Sequence, residues 1–122
     1  MGKAQRDKGQ RGERELLGLL SDELGTCVKR NLSQTRGGGA DCIDVTGYSI
    51  EIKFQETLNI NAWWAQALAQ CQGKEKPVLF YRKSRQPWTA VMLLSDVNSD
   101  YTGSDTISCN LPTACMIIRE NL

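Results

Sequence analysis

Apolar residues near the start of the chain recur every three or four positions, a spacing that predicts a helix. The stripe that they form consists of Leu16, Leu17, Leu20 and Leu24. We expect this helix to run from Gln10 to about Gly25, because a glycine just past the last apolar position is a typical helix stop. Residues 1–9 are polar, and we expect them to be mobile.

Farther along, short apolar runs bounded by turn residues predict strands. These runs are residues 27–32, 41–45, 48–54, 77–81, 88–94 and 115–118. Strands interrupted by helices predict the α/β class, with a mixed sheet flanked by helices. A length of 122 residues suits a single domain over residues 1–122. Residues 95–114 are too polar to indicate an element, so residues 95–122 would form a C-terminal extension.

A second helix is expected between the strands, from Asn59 or Asn61 as its cap to Gln72. Its core stripe would consist of Trp64, Leu68 and Cys71, and its opposite side of Trp63, Gln66 and Gln70. On that opposite side Gln66 can hydrogen-bond a phosphate, and Trp63 can stack on a base or a sugar. The alternative is a solvated, amide-rich face with a partly exposed tryptophan.

The composition removes several classes of catalytic site. Histidine is absent, which excludes the Ser-His-Asp triad, the Cys-His pair and zinc sites that need imidazole. The five cysteines include no CxxC pair, so we expect reduced and mostly buried thiols. Carboxylates, lysine and bound metal remain for catalysis. No apolar run approaches the roughly 20 residues of a membrane span, and no secretory signal is visible. We expect a cytoplasmic protein without a membrane partner.

The net charge of +1 conceals an uneven distribution of charged residues. Residues 1–14 and 74–88 are basic, and the chain from Asp96 onward is acidic. Two basic clusters on a nearly neutral protein favour a localised site for a polyanion. The alternative is that both clusters are ordinary solvated surface.

The segment Ile50–Phe54 carries the sharpest chemical signal. Side chains alternate across a strand, so Glu51 and Lys53 share one face, with Cα atoms about 7 Å apart. A carboxylate there can bind a hard cation, and a lysine beside it can orient water or stabilise negative charge on a phosphate. The alternative is an amphipathic strand with an ion pair on one face.

Two further acids can join this pair. Asp41 opens a strand directly after the glycines of residues 37–39, which leave backbone clearance for a phosphate. Asp44 competes for the same role from the opposite face of that strand. Glu13 points along the buried leucine stripe of the first helix, where a carboxylate should be paired or bound to metal. Alternatively, Glu13 precedes the core and is solvated.

Three motifs in this order resemble the PD-(D/E)XK nuclease superfamily, and within it the archaeal and phage-type Holliday junction resolvases. The motifs are KGQRGEREL over residues 8–16, GAD over residues 39–41 and EIK over residues 51–53. Ala40 replaces the proline that names the superfamily motif. The tryptophan pair at residues 63–64 and the acidic tail match nothing that we can map onto the archaeal enzymes.

The resemblance implies a restriction-endonuclease-like mixed sheet and a divalent metal site. Mg²⁺, with Mn²⁺ able to substitute, would be held by Glu13, Asp41 and Glu51, with Lys53 in the catalytic position. The resemblance also implies a homodimer acting on DNA, specifically branched DNA such as a four-way junction, in the cytoplasm of the host cell if a phage encodes it. The DNA-binding candidates are Lys8, Arg11, Arg14, Arg30, Gln34, Arg36, Trp63 and Gln66. Two alternatives stay open: a flap, nicking or restriction-like endonuclease, and a non-catalytic DNA-binding module of the same fold.

Overall fold

A computed structural model describes residues 2–29 and 45–122 of the chain. The first half of this part contains helix α1 (Lys3–Leu24), strand β1 (Tyr48–Phe54) and helix α2 (Ile60–Gln70). The second half contains β2 (Lys76–Arg82), β3 (Thr89–Leu93), α3 (Leu94–Val97), β4 (Thr106–Asn110) and α4 (Leu111–Glu120). Within the described ranges no helix is both long enough and apolar enough to cross a membrane.

The strands form a mixed, open sheet in the order β1-β2-β3-β4. β1 and β2 are parallel, and α2 connects them, whereas β2, β3 and β4 pair antiparallel. In the parallel pair Glu51 lies opposite Leu79 and Lys53 opposite Tyr81. Helices cover both faces of this sheet, so the predicted α/β class with a restriction-endonuclease-like arrangement is confirmed.

Each face of the sheet has its own apolar layer. On one face the buried residues of α1 and α4, such as Leu16 and Ile118, pack against Ile50, Ile52 and Phe80. On the other face Trp63 of α2 packs against Leu79 and Val91. Because side chains alternate along β1, Glu51 and Lys53 belong to the α2 face and the isoleucines to the α1 face.

The leucine stripe of α1 is confirmed at its centre, but the predicted start of the helix is wrong. Leu16 and Leu20 are fully buried, and Gly25 ends the helix in the left-handed conformation at φ 69°. The helix begins at Lys3 rather than at Gln10, so most of the segment predicted to be mobile, residues 1–9, is helical. Residues 3–9 carry no apolar period, so the hydrophobic pattern did not predict this part of the helix.

The predicted core stripe of α2 is wrong at Leu68 and leaves out Trp63, although Trp64 is partly buried against the same layer. Trp63 is 6% exposed and Ala67 is buried, whereas Leu68 is 44% exposed. The small side chain at Ala67 lets the helix approach the sheet, and the Trp63 ring lies 6.1 Å from that of Tyr81. Trp63 is therefore a core residue, and its predicted role in stacking on DNA is not compatible with this burial.

Two strand predictions also differ from the structure. Residues 115–118 lie in α4, and the edge strand is instead β4, within the segment where we expected no element. Residues 27–29 are not in a strand, and the rest of the predicted strand 27–32 lies outside the described residues, as do residues 41–44. The described cysteines form no disulfide, and Cys115 is buried while Cys27 is exposed.

Replacing Asn110 by alanine should destabilise the protein by about 1 kcal/mol. The Asn110 side chain accepts a hydrogen bond of 2.9 Å from the backbone N–H of Thr113 and thereby caps α4. Asn59 occupies the same position before α2 but makes no such bond, so Asn59→Ala is a matched control with a smaller expected effect. Urea denaturation of both variants measures the difference, and equal losses would contradict the capping role.

Candidate active site

A cleft of about 290 Å³ lies where α1 passes the end of β1. The helix contributes Gln5, Lys8, Gly9 and Glu13 to its wall. The opposite wall is formed by residues 52–57, the end of β1 and the segment that follows it. The cleft therefore joins two segments that are far apart in the sequence.

Glu13 and Lys53 both line this cleft, and Glu51 lies beside Lys53. The Lys53 Nζ is 3.6 Å from Oε1 of Glu51, and Glu51 is only 3% exposed. Glu51 does not itself line the cleft. It lies two residues before Lys53, on the same face of β1. The structure thus places one predicted acid and the predicted lysine in a shared cavity, with a second acid in contact with the lysine.

Gly12 allows α1 to pass this close to β1. Gly12 is buried, and a Cβ atom at this position would lie 2.7 Å from the ring carbon Cδ2 of Phe54 and closer still to its Cβ. Such distances are too short for van der Waals contact. A glycine one residue before Glu13 therefore determines how near that carboxylate comes to the sheet.

The third predicted acid, Asp41, lies outside the described residues, as do its competitor Asp44 and the DNA-binding candidates Arg30, Gln34 and Arg36. Their positions relative to the cleft stay predictions. Residues 45–47, which lead from that segment into β1, include a turn with Gly47 at φ 86°.

A family model described as "Phage putative PDDEXK endonuclease" matches residues 4–112, which include Glu13, Glu51 and Lys53. The match spans most of the chain. The chain belongs to this family. The searches of curated proteins and of solved structures found no match to the chain. Membership confirms the superfamily resemblance seen in the three motifs, makes the chain a phage PD-(D/E)XK endonuclease and implies a DNA substrate.

The donor atoms around the cleft of this endonuclease fit a hard divalent cation. Glu13 and Glu51 offer carboxylate oxygens, the ligand type that such cations prefer, and no imidazole exists in the chain. Over residues 2–29 and 45–122 no group of three histidine, cysteine, aspartate or glutamate side chains is positioned to hold a metal ion. Asp41, the third predicted ligand, lies outside those ranges.

A second ionic contact closes one side of the cleft. The Lys8 ammonium forms an ion pair with Glu56 and donates a hydrogen bond of 3.2 Å to Oγ of Ser84. Glu56 also accepts a bond of 3.1 Å from the backbone N–H of Ser84. Lys8 was predicted to contact DNA, and this stays a prediction; in the structure its ammonium links α1 to Glu56, in the segment after β1, and to Ser84.

Glu15 and Arg82 form a third contact, which sequence reasoning did not identify. Arg82 Nη2 donates to Glu15 at 2.8 Å, and Trp88 Nε1 donates to the other carboxylate oxygen at 2.9 Å. The guanidinium also lies 4.0 Å from the centre of the Phe54 ring. This group of side chains fixes α1 against β2 two residues after Glu13.

Arg11 and Arg14 are exposed on α1, and neither forms an ion pair with the described residues. Both side chains are therefore accessible to DNA, and their contact with it stays a prediction. Gln66 is half-buried and lies one turn after Trp63, on the side of α2 that faces the sheet. That is the face of β1 on which Glu51 and Lys53 lie.

Acid should weaken the fold through Glu56. The hydrogen bond from Lys8 and those from Ser84 lower the pKa of Glu56 from 4.5 to about 2. A carboxyl with a depressed pKa contributes stability above its unfolded value, and this stability is lost as the pH falls from about 4.5 to about 2. We expect Glu56→Gln to flatten this part of the pH profile, measured as the urea midpoint at a series of pH values.

Lys8→Met should flatten the same part of the profile, because it removes the main cause of the lowered pKa. The double variant should then differ little from either single variant. Additive effects of the two substitutions would show that Lys8 and Glu56 act independently.

Proposed function

We propose that this phage endonuclease hydrolyses phosphodiester bonds in branched DNA, with four-way junctions as its preferred substrate, and that it requires Mg²⁺. The observation that carries the proposal is the cleft that Glu13 and Lys53 share, with Glu51 at 3.6 Å from the lysine ammonium. The preference for junctions rests on the resemblance of the three motifs, at residues 8–16, 39–41 and 51–53, to the resolvases.

In this proposal Glu13, Glu51 and Asp41 hold the cation, and Mn²⁺ can replace Mg²⁺. When bound, the cation supplies electrostatic stabilisation of the negative charge that builds up on the scissile phosphate. Lys53 reaches the cleft as a half-buried ammonium and orients the attacking water or pairs with a phosphate oxygen. Its contact with Glu51 restrains the ammonium at the cleft wall.

Arg11 and Arg14 are proposed to bind DNA phosphates beside the cleft, together with Arg30, Gln34 and Arg36. Gln66 is proposed to hydrogen-bond near the reacting phosphate from the α2 side. Cutting a four-way junction symmetrically takes two active sites, so we propose that the working form is a homodimer with one cleft in each protomer.

The test is cleavage of three labelled substrates of matched sequence: a four-way junction, a flapped duplex and a linear duplex. Each is incubated with the protein in Mg²⁺, in Mn²⁺ and in chelator. We expect metal-dependent cutting that is fastest on the junction, with symmetrical incisions in opposite strands. Light scattering on the purified protein should give the mass of a dimer.

Faster cutting of the flap or the linear duplex would contradict the preference for junctions and would indicate a flap, nicking or restriction-like activity at the same site. Salt-sensitive DNA binding without cutting in either metal would favour a non-catalytic binding module instead.

A further inference from the structure

The turn between β2 and β3, residues 83–86, stands at the same end of the sheet as the cleft and has no role in the function proposed above. We propose that this β2–β3 turn binds DNA backbone phosphates through Lys83 and Arg85. The inference rests on the proposed function in one respect, namely that a DNA strand enters the cleft.

The first argument is position. Ser84 in the turn contacts Lys8 and Glu56, and both of these residues line the cleft. The turn is therefore docked on the cleft wall, and a DNA strand that enters the cleft passes next to it.

The second argument is charge. Of the cations at this end of the sheet, Lys8 is paired with Glu56, Arg82 with Glu15 and Lys53 with Glu51. Lys83 and Arg85 are exposed and form no ion pair with the described residues. Their charges remain available to an external anion, and the nearest anion that the proposed substrate supplies is a backbone phosphate.

The third argument is the backbone of Arg85. Arg85 has a φ of 66°, and among the described residues every other positive φ belongs to a glycine. Glycine or asparagine adopts this conformation at lower cost, so a turn selected for stability alone favours one of them. A long cation in a disfavoured conformation indicates that the side chain is used.

The experiment measures equilibrium binding to a labelled DNA duplex in chelator, so that no cutting occurs and no metal is needed. The test variants are Arg85→Asn and the double variant Lys83→Asn with Arg85→Asn. Lys74→Asn is the matched control, because Lys74 is also exposed and lies before β2, about 20 Å away along that strand.

We expect Arg85→Asn to weaken binding about tenfold, as for the loss of one charge-assisted hydrogen bond. The double variant should also reduce the slope of log affinity against log salt by about 2, for two lost phosphate contacts. Arg85→Lys should restore most of the affinity because it keeps the charge. The thermal midpoint of Arg85→Asn should be equal to or above that of the wild type, since asparagine tolerates this backbone conformation.

Binding by the double variant that equals binding by Lys74→Asn would overturn the inference, as would an unchanged salt slope. These results are independent of whether the wild type prefers junctions or needs Mg²⁺. If the double variant loses affinity but the wild type never cuts DNA, the inference is supported and the proposed function is contradicted.

Discussion

Replacement of Glu51 by glutamine should reduce DNA cleavage by roughly a thousandfold or more while leaving the fold and DNA binding in place. Glutamine keeps the shape of the side chain and can still accept a hydrogen bond from Lys53, but it removes the negative charge that pairs with Lys53 and on which the proposed cation site depends. Glu51 is buried on a central part of β1, so a change of shape rather than charge would disturb packing as well. The measurement is the single-turnover cleavage rate on the substrate that the wild type cuts fastest.

Glu120→Gln provides the control, because Glu120 is exposed at the end of α4. Its cleavage rate should equal that of the wild type. Circular dichroism and binding in chelator establish that Glu51→Gln is folded and still engages DNA. Cleavage by Glu51→Gln within tenfold of the wild-type rate would remove Glu51 from the catalytic site.

Replacement of Gly12 by alanine should both destabilise the protein and impair cleavage. The added methyl group meets Phe54 near its Cβ atom, which cannot rotate away, and the ring itself packs against the cations of Lys8 and Arg82. Overpacking of this kind costs about 1–3 kcal/mol of unfolding free energy. Because α1 must shift away from β1, Glu13 also moves from the cleft, and we expect cleavage to fall at temperatures where the variant is still folded.

Gly18→Ala is the control within the same helix. A Cβ atom at Gly18 meets nothing within 4 Å, so alanine there should raise stability by up to about 1 kcal/mol through helix propensity. Cleavage by Gly18→Ala should be unchanged. The close approach of α1 to β1 has no functional importance if Gly12→Ala cuts DNA at the wild-type rate.

Elements with a strong apolar period could be predicted from the sequence. The leucines of α1 and the alternation in β1 each have one apolar side, so the period alone gives both the element and its buried face. In α2 large apolar residues surround the helix axis, and the small Ala67 determines the face that meets the sheet. A count of large side chains therefore selected the wrong face and placed Trp63 at the surface.

The C-terminal helix α4 was missed for a different reason. Its run of cysteine, methionine and isoleucine is typical of a strand, but the preceding Asn110 and the proline at Pro112 mark a helix start. Leu111, Ala114, Cys115 and Ile118 are buried at helical spacing. The cap and the proline therefore indicate a helix, whereas the β propensity of the apolar run favours a strand.

The contact between Glu51 and Lys53 could be predicted because a strand places alternate residues on one face. The position of Glu13 on the side of α1 that faces the sheet could be predicted because Glu13 follows the direction of a helical stripe. The contacts of Lys8 with Glu56 and of Arg82 with Glu15 could not be found in this way. They join residues 48 and 67 positions apart in the sequence. Such pairs depend on how α1 docks on the sheet, which no local period encodes.

The packing of α4 on α1 has a consequence for synthesis of the protein. Ile118 lies in the same apolar layer as Leu16 and Leu20, and Arg119 donates a hydrogen bond of 2.7 Å to the backbone carbonyl of Glu23. While α4 is still inside the ribosome, this part of the layer is open to water and the helix that carries Glu13 lacks one of its supports. We expect the wall of the cleft that carries Glu13 to reach its final position only once α4 has emerged from the ribosome and packed on α1.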